Sequence, residues 1–224
     1  MNTNLAQYLP SDNGTIDDIL FTAIASDIRA KGFSIQPMAL PDAVLTPVVS
    51  HNQAMLQSQF SQAGIGRSLD FQQNNFVRRD EISWITGESE AGQIWLNWTA
   101  KLQTFLNRRL FLGLFSFESH FAHYPPGAFY KRHYDAFQGQ ANRILSIVVY
   151  LNPHWPLDAG GELVLYQDDQ DVEGIKVTPA LGTIVTFLSE EFPHEVLPAQ
   201  RDRYSIAGWF RLNTSINNQI DPSR

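Results

Sequence analysis

The sequence contains no cysteine among its 224 residues. This absence excludes disulfide bonds, thiolate metal sites and cysteine nucleophiles. Any metal ion that the protein binds must therefore take nitrogen and oxygen ligands. The lack of cysteine also fits a reducing compartment.

Basic residues are scarce as well. The chain has 16 Lys and Arg against 23 Asp and Glu, which gives a formal charge of -7 and a pI near 5.3. The basic residues come in pairs such as Arg78-Arg79 and Arg108-Arg109, and never form a longer run. Because phosphate binding depends on clustered Lys and Arg, this balance argues against a nucleic-acid partner.

Long apolar runs are missing too. No segment is long enough to cross a bilayer, and Met1-Asn2-Thr3-Asn4 lacks the basic and apolar regions that open a secretory signal. We therefore expect a cytoplasmic protein with no membrane partner. A hydrophobic content of 43% can fill a substantial core, and no repeat or Pro/Ser-rich linker divides the chain. One domain over residues 1–224 is the expectation.

The first half of the chain has helical patterns. Asn13-Gly14-Thr15 precedes early acids and apolar residues at three-to-four spacing, which predicts a helix to about Gly32. A short strand at 33–36 is expected next, then a helix over about 41–60 that Pro47 can interrupt. The segment 91–108 predicts a third, amphipathic helix.

From Ser119 onward, short apolar or alternating runs are separated by turn residues. Eight such segments predict strands with no helix between them: 120–124, 129–135, 143–151, 161–166, 175–180, 183–188, 194–198 and 203–212. This pattern favours a mainly β fold with flanking helices. Its architecture would be a double-stranded β-helix, the cupin-like jelly roll, buttressed by the N-terminal helices. The segment 144–150 is apolar on both faces, which is typical of a central strand.

The most informative motif is His133-Tyr134-Asp135, followed by His194 and then Arg203. Alternate residues of a strand share a face, so His133 and Asp135 can point at one ion while Tyr134 faces away. His194 from a neighbouring strand would complete the two-histidine, one-carboxylate triad of non-haem Fe(II) sites. The other histidines have no such support, and we expect them to be structural or solvent-facing: His51, His120, His123 and His154.

Several runs resemble the Fe(II)- and 2-oxoglutarate-dependent dioxygenases of the prolyl 4-hydroxylase type, which include the hypoxia-factor prolyl hydroxylases and their bacterial relatives. The resemblance covers about Phe76 to Leu212, and order and spacing agree as well as residue type. The runs are 78–85, 123–135, 149–155, 160–163, 193–196 and 203–210. By this likeness, 1–110 is largely helical support with a substrate-covering segment at about 76–90. Residues 111–212 are then the catalytic β-helix, and 213–224 a C-terminal tail.

The resemblance also implies roles for individual residues. His133, Asp135 and His194 match the iron ligands, and Arg203 matches the basic residue that pairs with the distal carboxylate of 2-oxoglutarate. A guanidinium suits that task because it can grip a carboxylate with two parallel hydrogen bonds. Tyr150 and Tyr124 match tyrosines of the same pocket. A salt bridge between Asp80 and Arg143 is a further hypothesis, since their counterparts can pair.

The implied reaction consumes O2 and 2-oxoglutarate, releases succinate and CO2, and hydroxylates a peptidyl proline, expectedly at C4. The substrate would be an exposed proline loop of a cytosolic protein, with translation elongation factor Tu as the first candidate for a bacterial relative. The sequence leaves the oligomeric state and any need for ascorbate open. Three alternatives remain: an oxygenase acting on a free amino acid or other small molecule, a non-catalytic metal-binding interaction module, and a cupin-like enzyme using Mn, Ni or Zn.

Overall fold

The computed structural model of the chain describes residues 15–55, 57–63, 77–136, 142–213, 215–216 and 219–220. The predicted domain division therefore falls partly outside the described residues, at 1–14, at Phe76 and over most of 213–224. Three helices and a 3-10 turn occupy the first half: α1 Ile16–Lys31, α2 Asp42–Ala54, the 3-10 turn Gln57–Gln59 and α3 Glu90–Leu110. No helix among these residues combines the length and the apolar character that a bilayer span requires.

Local chemistry explains where α1 begins and ends. The hydroxyl of Thr15 accepts the N–H of Asp18 at 3.2 Å, and the Asp18 carboxylate accepts the N–H of Thr15 at 3.0 Å. Gly32 ends the helix with φ 79°. The break expected at Pro47 is wrong, because α2 continues through it and ends at Ala54. The helix persists because a proline removes only one N–H, while the face carrying Val44 and Val48 is buried.

Antiparallel strands form two main sheets. The larger sheet has the order β1-β9-β6-β11-β4-β3-β2, and the smaller has the order β5-β10-β7-β8. The strands are β1 Phe33–Gln36, β2 Ser61–Gln62, β3 Glu81–Trp84, β4 Ser116–Tyr124, β5 Tyr130–His133, β6 Arg143–Tyr150, β7 Leu163–Leu165, β8 Ile175–Val177, β9 Ile184–Leu188, β10 His194–Val196, β11 Arg203–Arg211, β12 Ser215–Ile216 and β13 Gln219–Ile220. All eight predicted strands from 120 to 212 are confirmed. So is the mainly β, helix-flanked fold.

The larger sheet separates two apolar clusters. On β6, Leu145, Ile147 and Val149 pack with the helices in one cluster, whereas Val148 and Tyr150 pack with the smaller sheet in the other. Because successive side chains of a strand alternate between faces, a single central strand contributes to both. The functional side chains of β6 and β11 consequently point into the space between the sheets.

The segment expected to cover the substrate contains a strand. Glu81–Trp84 pairs antiparallel with β4, with Ile82 opposite Ala122 and Trp84 opposite His120. Trp84 remains 53% exposed at this position. The polar and apolar alternation of these four residues is typical of a half-buried strand.

Candidate active site

Three potential metal ligands come together at one side of the smaller sheet. His133 is the last residue of β5, His194 is the first residue of β10, and the two are direct cross-strand partners. Asp135 lies two residues beyond the end of β5, in a bend. The prediction that one strand carries both His133 and Asp135 is therefore wrong, although the bend still turns the carboxylate toward both histidines.

The three side chains are close enough to share an ion. The Nε2 atom of His133 lies 3.7 Å from one Asp135 carboxylate oxygen, and the Nε2 atom of His194 lies 3.7 Å from the other. A single ion with nitrogen and oxygen bonds of about 2 Å can bridge atoms at this separation. Among the described residues this is the one group of His, Asp and Glu arranged to hold a metal.

Backbone carbonyls orient both imidazoles. Nδ1 of His133 is 2.7 Å from the carbonyl of Lys131, and Nδ1 of His194 is 3.1 Å from the carbonyl of Phe192. A ring nitrogen that faces a carbonyl carries a proton, so Nε2 is the nitrogen of each ring that remains to bind a metal. Both histidines direct Nε2 toward Asp135 and the space between them.

The carboxylate of Asp135 is held ionised. Burial by itself would raise its pKa, but the nearby His194 and His133 together lower the pKa well below its usual range. The hydroxyl of Ser146 on β6 donates a 2.6 Å hydrogen bond to it, and Ser189 stands behind Ser146 at 2.9 Å. Burial lowers the pKa of His194 to about 4, so this imidazole is neutral at pH 7.

Arg203 on β11 is a buried cation. Its side chain is 1% exposed, its Nε donates to the carbonyl of Gly161 at 2.8 Å, and one terminal nitrogen lies 3.4 Å from the hydroxyl of Ser205. No carboxylate of the described residues lies within ion-pair distance of this guanidinium. A buried charge without a counter-ion is unfavourable, so this cavity favours an anion from outside the chain.

Two tyrosines flank Arg203. The guanidinium carbon lies 5.0 Å from the ring centre of Tyr124 and 5.1 Å from that of Tyr150. Burial raises the pKa of Tyr150 to about 12 against the opposing effect of Arg203, so the hydroxyl stays protonated. That hydroxyl is buried and has no hydrogen-bond partner among the described residues. It is a donor available to a ligand of Arg203.

Comparisons with known proteins agree with this geometry. Residues 119–211 match the 2OG-Fe(II) oxygenase superfamily. The crystal structure of a Pseudomonas putida prolyl-4-hydroxylase is 37% identical in sequence, with a TM-score of 0.76 over 87% of this chain and 100% of that one. This chain belongs to the 2OG-Fe(II) oxygenase superfamily. Within it, the protein is a 2-oxoglutarate-dependent dioxygenase of the prolyl hydroxylase type.

Two further relatives of this oxygenase are similar over shorter or more divergent stretches. A Trichoplax adhaerens prolyl hydroxylase, solved with a peptide fragment of the hypoxia inducible factor oxygen degradation domain, is 28% identical. Its TM-score is 0.77 over 87% of this chain and 90% of that chain. Mouse Egl nine homolog 1 is 26% identical over 148 residues, which are 60% of this chain and 35% of the mouse protein. The oxygenase thus spans about a third of that relative.

The site fits the cofactors of the superfamily, which are Fe(II), 2-oxoglutarate and O2. Two imidazole nitrogens and one carboxylate form a donor set that suits non-haem Fe(II) and leaves coordination positions for other ligands. The buried guanidinium beside the unpartnered Tyr150 hydroxyl suits the carboxylate of a 2-oxo acid.

Gly161 is a functional residue of this oxygenase that sequence reasoning missed, since Gly160-Gly161 reads only as a turn. Its carbonyl binds Arg203, and it has φ +77°. A side chain there would lie 3.4 Å from the Cδ atom of Arg203 and 2.9 Å from the Cβ atom of Ala199. Two glycines before a predicted strand are the signal that the sequence contains. Only the structure shows that the Gly161 carbonyl binds Arg203.

The predicted salt bridge between Asp80 and Arg143 is wrong. Asp80 pairs instead with Arg78, whose Nε donates to it at 2.7 Å, and Arg143 pairs with Glu118 at 2.8 Å. The Asp80–Arg78 pair forms because the two residues alternate along one short segment and share a face. Arg78 also lies over the ring of Tyr130, 4.3 Å from its centre.

Proposed function

We propose that this oxygenase hydroxylates a prolyl residue of a protein or peptide, at C4, with release of succinate and CO2. The observation that carries the proposal is the coincidence of the His133–Asp135–His194 cluster with the buried, unpaired Arg203 in a chain of prolyl hydroxylase type. Relatives that carry the name prolyl hydroxylase, including one solved with a peptide, support the substrate class.

In this proposal His133, Asp135 and His194 hold Fe(II) through two Nε2 atoms and a carboxylate oxygen. Ser146 keeps the carboxylate facing the imidazoles, and the carbonyls of Lys131 and Phe192 keep both rings in the tautomer that can bind. Bound Fe(II) and 2-oxoglutarate couple the reduction of O2 to oxidative decarboxylation and to hydroxylation of a carbon.

Arg203, Tyr150 and Tyr124 hold 2-oxoglutarate in the same proposal. The terminal nitrogens of Arg203 donate to its distal carboxylate, since Nε is already occupied by Gly161. The hydroxyl of Tyr150 donates to the same group. The phenol of Tyr124, whose pKa is raised by burial and by Asp80, stays neutral and packs beside the guanidinium. The surrounding apolar residues exclude water from the pocket.

The protein substrate is the finer part of the proposal. We infer a cytosolic protein with an exposed proline loop, and elongation factor Tu is the first candidate. The acidic net charge supports a protein or peptide substrate over nucleic acid. Whether ascorbate supports turnover is part of the same test.

The decisive experiment incubates the purified enzyme with Fe(II), 2-oxoglutarate and cell extract, with and without ascorbate. Mass spectrometry then searches for a one-oxygen gain on proline, and chromatography of the hydrolysed product separates 4-hydroxyproline from 3-hydroxyproline. We expect 4-hydroxyproline and one succinate per hydroxylation, both absent with the variant D135A. Hydroxylation of free proline or another small molecule, with none on any protein, would refute the peptidyl assignment.

A further inference from the structure

Arg132 and Tyr134, which directly precede the proposed metal ligands His133 and Asp135, both bind the same turn. We define this turn as residues 167–174, between β7 and β8. A terminal nitrogen of Arg132 donates to the carbonyl of Asp171 at 2.9 Å, and the other terminal nitrogen donates to the carbonyl of Asp168. The hydroxyl of Tyr134 donates to the carboxylate of Asp169 at 3.0 Å. Along residues 132–135, His133 and Asp135 therefore face the proposed metal site, while Arg132 and Tyr134 bind the turn on the opposite side.

The 167–174 turn is built to be rigid. The carboxylate of Asp171 accepts the N–H groups of Gln167, Glu173 and Gly174 at 2.9, 3.0 and 3.0 Å. The carboxylate of Asp168 accepts two more N–H groups from within the turn, at 2.8 and 3.0 Å. Side chains that bond their own backbone in this way fix a turn without help from a sheet. Arg132 and Tyr134 therefore bind an ordered partner.

Arg132 also connects the strands that carry the two histidines. Its guanidinium carbon lies 3.7 Å from the ring centre of Tyr166, just after β7, and the Tyr166 hydroxyl donates to the carboxylate of Glu195. Glu195 follows His194 directly on β10. On the outer face of the smaller sheet, one chain of contacts thus runs from the neighbour of His133 to the neighbour of His194.

Asp135 depends most on such contacts. It lies beyond the last paired residue of β5, so the strand ladder does not fix its backbone. Ser146 holds its carboxylate from the side of the larger sheet, while Tyr134 attaches the preceding residue to the 167–174 turn. A ligand that is not fixed by regular structure needs its position set by neighbouring contacts.

We propose that Arg132 and Tyr134, bound to the 167–174 turn, are positioning residues that set the geometry of the metal site. This inference rests on the proposed assignment of His133, Asp135 and His194 as metal ligands. Both positioning side chains contact residues 166–171, and neither is one of the three proposed ligands. Their effect is on metal affinity and coordination geometry, and it passes through the backbone of residues 132–135.

The test titrates the metal-free protein with Co(II), whose visible absorption reports both affinity and coordination geometry. We expect R132A to weaken Co(II) binding about tenfold and to alter the spectrum, as loss of groups that orient ligands does. The variant R132K keeps the charge without the two-carbonyl fork, and should fall between R132A and wild type. Y134F removes a single hydroxyl and should give a smaller loss in the same direction.

Two controls match these variants. Q170A lies in the same turn, and its side chain makes no hydrogen bond within the described part of the chain. R109A removes another arginine that packs over an aromatic ring, that of Phe105 at 5.2 Å, on α3. Both should bind Co(II) as wild type does. Urea unfolding of each metal-free variant separates a change in the site from a change in global stability.

Each outcome decides between two proposals. If H133A and D135A leave Co(II) binding intact, the ligand assignment itself fails. If they abolish binding while folded R132A and Y134F bind like Q170A, the ligands stand and the positioning inference is overturned. Should R132A not fold, the double-mutant cycle of Y134F with D169A replaces it. Coupling in Co(II) affinity would support the inference, and independent effects would overturn it.

Discussion

Replacing Arg203 with methionine is the sharpest perturbation that the structure offers. The side chain is 1% exposed, and within the described residues the hydrogen bond of its terminal nitrogens is the long one to the Ser205 hydroxyl, at 3.4 Å. Methionine fills most of the same volume and removes the charge. Loss of a buried, hydrogen-bonded charge partner weakens binding by about 2–5 kcal/mol. We therefore expect the Kd for 2-oxoglutarate to rise by roughly 30- to 4,000-fold.

The same substitution should not destabilise the protein without its cosubstrate. In that state no carboxylate of the described residues lies within ion-pair distance of the guanidinium, and an apolar side chain avoids the cost of burying an unpaired charge. The free energy of unfolding of the metal-free R203M variant should thus equal or exceed that of wild type. The affinity for 2-oxoglutarate should therefore fall while the free energy of unfolding does not. A general packing defect would lower both.

The assay is anaerobic calorimetric titration of the Mn(II)-loaded protein with 2-oxoglutarate, beside urea unfolding of the metal-free form. R203K should bind with intermediate affinity, because an ammonium retains the charge but not the planar fork. R201M is the matched control, since Arg201 is exposed and lies 5.2 Å from the ring of Trp155. A folded R203M that binds within about threefold of wild type, or an equal loss in R201M, would refute the reasoning.

Two further predictions concern the surroundings of Arg203, and a third concerns the buried His120. The Tyr150 hydroxyl makes no hydrogen bond with the described residues, so Y150F should leave the free energy of unfolding unchanged. The same variant should raise the KM for 2-oxoglutarate about five- to tenfold, for the loss of about 1–1.5 kcal/mol. A matching loss of stability would contradict this. Gly161 and Gly127 have φ of +77° and +78°, but only a side chain at Gly161 meets neighbouring atoms, so G161A should raise that KM and G127A should not. Equal kinetic effects of the two alanines would mean that backbone strain, and not the close approach of a Gly161 side chain to Ala199 and Trp155, is responsible. Burial lowers the pKa of His120 from 6.5 to about 4, so the unfolded chain takes up a proton there first as the pH falls. The free energy of unfolding of the metal-free protein should then fall by about 2 kcal/mol from pH 7 to pH 5 on account of this residue, and urea titrations should show a smaller fall in H120L.

Several elements were predictable because their cause is local. The helix from Ile16 starts and ends at residues that cap it, and alternating or apolar runs between turn residues located the eight strands from 120 to 212. The sequence also contains the spacing of His133, Asp135, His194 and Arg203. The resemblance to known oxygenases then assigned a role to each of these residues. The strand Glu81–Trp84 has a local signal too, and it was passed over because that segment was expected only to cover a substrate.

Other features depend on residues far apart in the chain. The partner of Asp80, the carbonyl that binds Arg203 and the contacts of Arg132 with the 167–174 turn follow from which strands lie side by side. No short stretch of sequence encodes these pairings. Pro47 shows the same limit, since a local rule predicted a break that tertiary packing overrides.

The sequence by itself determined the order of the predicted helices and strands. It also placed two imidazoles, a carboxylate and a guanidinium on predicted strands. Those properties follow from hydrophobic periodicity and capping, which act over a few residues. The tertiary structure alone decided that the metal-site carboxylate lies past the end of its strand, that both imidazoles are oriented by backbone carbonyls, and that the guanidinium is buried without a counter-ion. These depend on burial and on through-space distances, which exist only once the two sheets have packed together.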